Sequence, residues 1–125
     1  DQYSIEISEK EWRIDNPLSM RFSISSDHLL DSSPKIAKLD FHKLEFPLKL
    51  RRWKYGDKFC PLGMSNFKKL SDFFIDEKYS IFEKQKQWIL CSNNDIVWIV
   101  GNRIDDRYKI DTCTKKVYIA ELLED

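Results

Sequence analysis

A chain of 125 residues, 42% hydrophobic and 34% charged, has the size and composition of one folded domain and excludes a disordered tail. Lysine plus arginine and aspartate plus glutamate number 21 each, so the formal net charge is zero and any attraction for a polyanion must be local. No apolar run approaches the roughly 18 residues of a membrane helix and no signal-peptide pattern opens the sequence, so no membrane partner and a cytoplasmic location are expected.

The N-terminal third reads as strands. Tyr3, Ile5 and Ile7 alternate with polar residues, and Trp12 and Ile14 extend the sheet after a turn. Leu18, Met20, Phe22 and Ile24 alternate with Ser19, Arg21, Ser23 and Ser25, the cleanest period-two pattern in the chain. The polar stretch 25–34, which contains His28, reads as a loop, and a strand follows around Ile36 to Phe41. From Leu48 to Trp53 another strand is expected, with Leu48 and Leu50 facing the core and Lys49 and Arg51 facing water. Tyr55-Gly56-Asp57 ends it and Pro61-Leu62-Gly63 bends the chain again, so Gly56, Asp57, Pro61 and Gly63 are expected to shape the loop. Ser65 or Asn66 is the expected N-cap of a helix carrying Phe67, Leu70, Phe73 and Phe74 at helical spacing. Ser80 and Glu83 form a capping-box pattern that opens a second short helix through about Gln87. Two hairpins complete the reading: Trp88 to Cys91 with Ile96 to Val100, and Lys109 to Asp111 with Val117 to Leu122. The apolar run 96–100 predicts a central strand buried on both faces. The expected fold class is α+β, mostly β: short strands in a compact sandwich or barrel with two short helices, over a single domain spanning 1–125.

Catalytic signatures are missing. Three glycines build neither a P-loop nor a GxGxxG turn, and HExxH and GxSxG do not occur. Asp105-Asp106 reads as a hairpin turn. Cys60, Cys91 and Cys113 are scattered, with no CxxC and no neighbouring histidine, so reduced cysteines and no metal are expected.

The positive signal is charge. Between Lys49 and Lys69 stand seven basic residues and one acid, Asp57. Lys68 and Lys69 would fall in the first turn of the expected helix, where the dipole favours anions and makes lysine a misfit. Together with Arg51, Arg52 and Lys54 just upstream they describe a phosphate-binding rim. A purely structural use would pair Lys68 with Asp72. Lys78, Lys84, Arg103 and Arg107 would widen the patch, although Asp105 and Asp106 would partly neutralise the last two. Trp53 and Tyr55, interleaved with the charges, either stack on bases or pack under the sheet edge.

The runs LRRWKYGDKFCPLGMSNFKKLSDFFIDEK and ILCSNNDIVWIVGNRIDDRYKI resemble the C-terminal domain of the bacterial tRNA(Ile)-lysidine synthase family. The matching positions are Arg51, Gly56, Asp57, Phe59, Pro61, Gly63, Lys68, Lys69, Leu70, Asp72, Phe73, Lys78, Trp98, Gly101 and Arg103, within about residues 47–122. Lys84 stands where the family usually has arginine, and Trp88 where it usually has proline. The resemblance implies a fold shared with the phenylalanyl-tRNA synthetase β subunit. It implies the C-terminal, tRNA-binding part of a ligase that uses ATP and Mg to attach lysine to C34 of the isoleucine tRNA CAU anticodon. ATP and Mg would belong to an N-terminal catalytic domain, a partner here, and this chain would hold no cofactor and no catalytic residue. The expected RNA contacts, made to the acceptor stem, are Arg51, Arg52, Lys54, Lys68, Lys69, Lys78, Lys84 and Arg103. A docking or homodimerisation module is the alternative.

Overall fold

The computed structural model describes residues 3–123. Two four-stranded antiparallel sheets carry the fold. The first contains β1 (Ser4–Ile7), β5 (Leu48–Arg52), β8 (Trp88–Ser92) and β9 (Asp95–Ile99) in that spatial order. The second orders β2 (Arg13–Ile14), β3 (Met20–Ser25), β10 (Val117–Leu122) and β4 (Ile36–Asp40). A two-stranded ribbon joins β6 (Lys58–Phe59) to β7 (Lys68–Lys69), and the helices are α1 (Leu70–Asp76) and α2 (Ile81–Lys86).

Period-two alternation sends Ile7, Leu48, Leu50 and Leu90 from the first sheet, and Met20, Phe22, Leu39 and Tyr118 from the second, into one shared core. The reverse face of the first sheet presents Ile89, Cys91, Ile96 and Ile99. These pack with Phe59, Leu70, Phe73 and Phe74 into a second, smaller core. Every residue of β8 is buried because both of its faces are covered. Among the described residues, no helix is long and apolar enough to cross a membrane.

Several sequence expectations fail. Ile14 does not extend the sheet of β1: β2 pairs with β3 in the second sheet. The apolar strand β9 lies at the end of its sheet, not in the middle. Its edge is nonetheless covered, because the returning chain bridges Trp98 with Ile104 and the Asp105 amide donates to the Val97 carbonyl at 2.9 Å. Lys109–Asp111 does not pair with β10. That strand sits between β3 and β4 and has no free edge, while Lys109 bridges Leu39. The first helix begins at Leu70, not at Ser65 or Asn66, because Lys68 and Lys69 are drawn into pairing with Phe59 and Lys58. The capping box of the second helix forms as the sequence requires, with Ser80 and Glu83 bonding each other's backbone amides.

Tyr118 is 1% exposed, and its hydroxyl is the one buried side-chain polar atom among the described residues without a hydrogen-bond partner. Replacing it with phenylalanine keeps its ring contacts with Phe22, Phe41 and Phe46 and removes a desolvated hydroxyl. Tyr118→Phe is expected to raise Tm by a few degrees, corresponding to about 1 kcal/mol. A fall in Tm on thermal unfolding would contradict this.

Candidate nucleic-acid interface

The basic stretch leaves β5 through a turn built on Asp57. Gly56 adopts φ +98°, open to glycine at no steric cost. The Lys54 amide donates to Asp57 Oδ2 at 2.7 Å and the Asp57 amide to the Lys54 carbonyl at 3.1 Å. Arg51 then closes on the same carboxylate through Nη1 and Nη2, at 3.0 and 2.9 Å. The pair is nearly dry, with side-chain exposures of 15% for Arg51 and 9% for Asp57. The bond to Asp57 raises the Arg51 pKa, and the guanidinium fork is filled. Arg51 therefore does not stand free in water as its place in the alternation predicted. The Asp57 carbonyl also accepts the Leu70 amide at 2.9 Å, so this helix start is no open anion site. Beneath Arg51, burial pushes the Cys91 thiol up to about 11.

A second carboxylate fixes the following bend. Asp105 is fully buried and accepts from the Cys60 amide at 2.9 Å, from the Arg107 amide at 2.8 Å, and from Arg107 Nε and Nη2 at 2.9 and 3.0 Å. Those bonds raise the Arg107 pKa above its ordinary value. Asp106 accepts the Gly63 amide at 3.0 Å, and that bond lowers its own pKa. The two aspartates are thus not a hairpin turn: Asp105 caps a 3₁₀ turn, Asp106–Tyr108, and both residues peg the loop 60–63. Gly63, at φ +88°, and the Met64-to-Pro61 backbone bond at 2.9 Å complete the expected bend.

The ribbon sorts the lysines by face. Cross-strand partners share a face, so Lys58 lies with Lys69, and Lys68 lies with buried Phe59. Phe67, two residues before Lys69, joins the outer face at 53% exposure, with Lys58 Nζ 5.1 Å and the Arg107 guanidinium 4.8 Å from its ring centre. Lys68 pairs with Asp76, not Asp72.

Three adjoining hollows connect these parts. The largest, about 500 Å³, lies between Arg52–Tyr55 and α2, with Ile81 and Lys84 on its far wall. Lys54 is shared with a second of about 270 Å³ that Lys49 and Arg51 also line. Asn94 links this to a third of about 240 Å³ holding Lys58, Phe67 and Arg107. Trp53 takes the packing role that the sequence offered: it lies edge-on against Phe74 at 5.0 Å and its Nε1 donates to the Lys84 carbonyl at 2.7 Å, while the residue also lines the groove. Tyr55 is 77% exposed.

Of the expected contacts, Arg52, Lys54 and Lys84 line the largest hollow, and Lys69 stands beside Lys58. None of these five cations has a carboxylate partner among the described residues, and Arg52 rests over the Trp88 ring at 5.0 Å. Lys78, Lys68 and Arg103 line none of the three hollows. Arg103 faces Glu77 at 3.8 Å, on the side where the 25–34 loop packs. Lys49, Lys58 and Phe67 are the members absent from the expected contacts. The alternation of Phe67 with Lys69 opposite Lys58 was the signal, masked by the helical spacing of the phenylalanines. Gly56, Gly63 and Gly101 occupy three separate turns, so no glycine-rich cradle for ATP phosphates exists here and no chemical step is assigned to that cofactor. No described group of three or more His, Cys, Asp or Glu is placed to hold a metal.

Comparison with known proteins agrees with this architecture. The chain is 48% identical over 110 residues to the tRNA(Ile)-lysidine synthase of Parabacteroides distasonis, covering 86% of this chain and 25% of that protein. It is 39% identical over 97 residues to that of Bacteroides thetaiotaomicron, covering 78% of this chain and 23% of that protein. It therefore spans about a quarter of the length of the curated relatives it matches. Among solved structures, the crystal structure of a TilS C-terminal domain superposes over the full length of both chains with a TM-score of 0.75 at 15% identity. An N-terminal fragment of the phenylalanyl-tRNA synthetase β subunit from Pyrococcus horikoshii covers 68% of this chain and 27% of its own, with a TM-score of 0.59 at 22% identity. Both likenesses concern the fold. Residues 48–121 match the family model of the TilS substrate C-terminal domain, and the chain belongs to that family.

Proposed function

We propose that residues 1–125 act as the tRNA-binding unit of a tRNA(Ile)-lysidine synthase, holding the acceptor stem by its phosphates while an N-terminal catalytic domain joins lysine to C34 with ATP. The supporting observation is the set of cations without carboxylate partners among the described residues: Lys49, Arg52, Lys54, Lys58 and Lys84 line the adjoining hollows and Lys69 stands across the ribbon from Lys58, in a family whose relatives carry that enzyme's name. Backbone-directed recognition suits double-stranded RNA, whose deep major groove hides its base edges. With about five phosphates engaged, log affinity for tRNA should fall against log salt with a slope on the order of −4. A salt titration by fluorescence anisotropy that returns a slope near zero would overturn the reading.

A docking role on the rest of the enzyme, or on a second copy, is favoured by one feature: Ile75, Ile81 and Phe82 are 67%, 69% and 73% exposed. Size-exclusion chromatography of Phe82→Ser separates the two uses. Altered assembly with intact tRNA binding supports docking.

A further inference from the structure

Helix α2 is a helix without a buried residue. Its place is set by its capping box and by the Trp53 indole, which holds the Lys84 carbonyl and so fixes the distance between the end of β5 and the helix. The space kept open between them is the largest of the three hollows, and its composition is unusual. It offers the Trp53 and Tyr55 rings, 4.9 Å apart and tilted by 59°, with Ile81 opposite. Arg52, Lys54 and Lys84 stand around these, and no acid lines the space. A simple phosphate site has no use for exposed rings, and a simple apolar docking groove has no use for three cations. A flat aromatic ring joined to a phosphate uses both.

We propose that this groove takes one unpaired nucleotide of a bound RNA, its base against Tyr55 and Ile81 and its flanking phosphates at Lys54 and Lys84. The inference rests on the tRNA-binding reading and adds a different mode of contact to it. Duplex RNA keeps its bases stacked inside the helix and cannot insert one into such a slot. A chain end or an extruded base can. The groove thereby distinguishes a duplex with a single-stranded extension from a blunt one.

The test measures affinity of this 125-residue chain for a short blunt RNA duplex and for the same duplex carrying a single-stranded extension, at fixed salt. The extended form is expected to bind about tenfold more tightly, the effect of stacking one base on an aromatic side chain. Tyr55→Ala should remove that gain and leave blunt-duplex affinity unchanged, while Tyr55→Phe should retain it. Tyr55 is exposed enough that neither substitution removes core packing. Equal affinity for the two RNAs, or an equal loss for both in Tyr55→Ala, would overturn the nucleotide groove and leave duplex binding standing. Absence of binding to either RNA would remove both readings.

Discussion

Asp105→Ala is expected to destabilise the chain by about 3 kcal/mol and lower Tm by on the order of 10 °C, the larger of the two strongest effects. Its carboxylate is fully buried and takes four hydrogen bonds. Removing it strands the Cys60 amide without an acceptor in the interior and leaves Arg107 with Asp95, at 3.3 Å, as its remaining carboxylate. Because Arg107 keeps 35% of its side-chain surface in water, its share of the loss is smaller than a fully desolvated cation would suffer. Asp105→Asn, which keeps one acceptor oxygen, should lose distinctly less. Chemical denaturation compared across the pair measures this, and a wild-type midpoint for the alanine variant would disprove the role given to Asp105. The loss is comparable to a large part of the 5–15 kcal/mol that typically holds a small domain together.

The second large effect concerns binding. Lys58→Glu combined with Lys69→Glu reverses the outer face of the ribbon, where neither lysine has a carboxylate partner among the described residues. Affinity for tRNA at low salt should fall on the order of a hundredfold, and the salt slope should become shallower by about two units. Folding should be little changed, since both side chains are exposed and Lys69 caps α1 with its backbone alone. Lys68→Ala is the internal comparison. That ammonium is already engaged by Asp76 and shares its face with Phe59, so its loss should weaken binding far less. If the double reversal leaves affinity intact while Lys68→Ala abolishes it, the ribbon has been assigned the wrong face.

The strands were legible because one face of each is buried, which prints a period of two in the residues. Met20 and Phe22 inside, with Arg21 and Ser23 outside, need nothing beyond that alternation. The capping box at Ser80 and Glu83 was legible for a similar reason, since both of its bonds are local. What escaped depends on partners far away in sequence. Phe67, Leu70, Phe73 and Phe74 have helical spacing, yet pairing with Lys58 and Phe59 makes residues 68–69 a strand and delays the helix. Charge counting located the basic stretch but could not distinguish a free cation from an engaged one. Arg51 and Lys68 looked like surface charges until Asp57 and Asp76 were placed beside them. Asp105 looked like a turn residue because nothing in its neighbourhood announces a bond to Cys60, 45 positions earlier.

The sheet containing β8 separates two apolar interiors of unequal size, and the cationic ribbon and α1 rest on the smaller one. Cooperative units of that kind open with their own free energies. Amide exchange in Phe59 and in residues 68–76 should therefore outpace that of Leu90 and Tyr118, as the ribbon and helix lift away while the two large sheets stay closed. The cationic side of this protein would then be a detachable layer, and a ligand spanning the ribbon and β5 would slow its exchange without touching the interior beneath the second sheet.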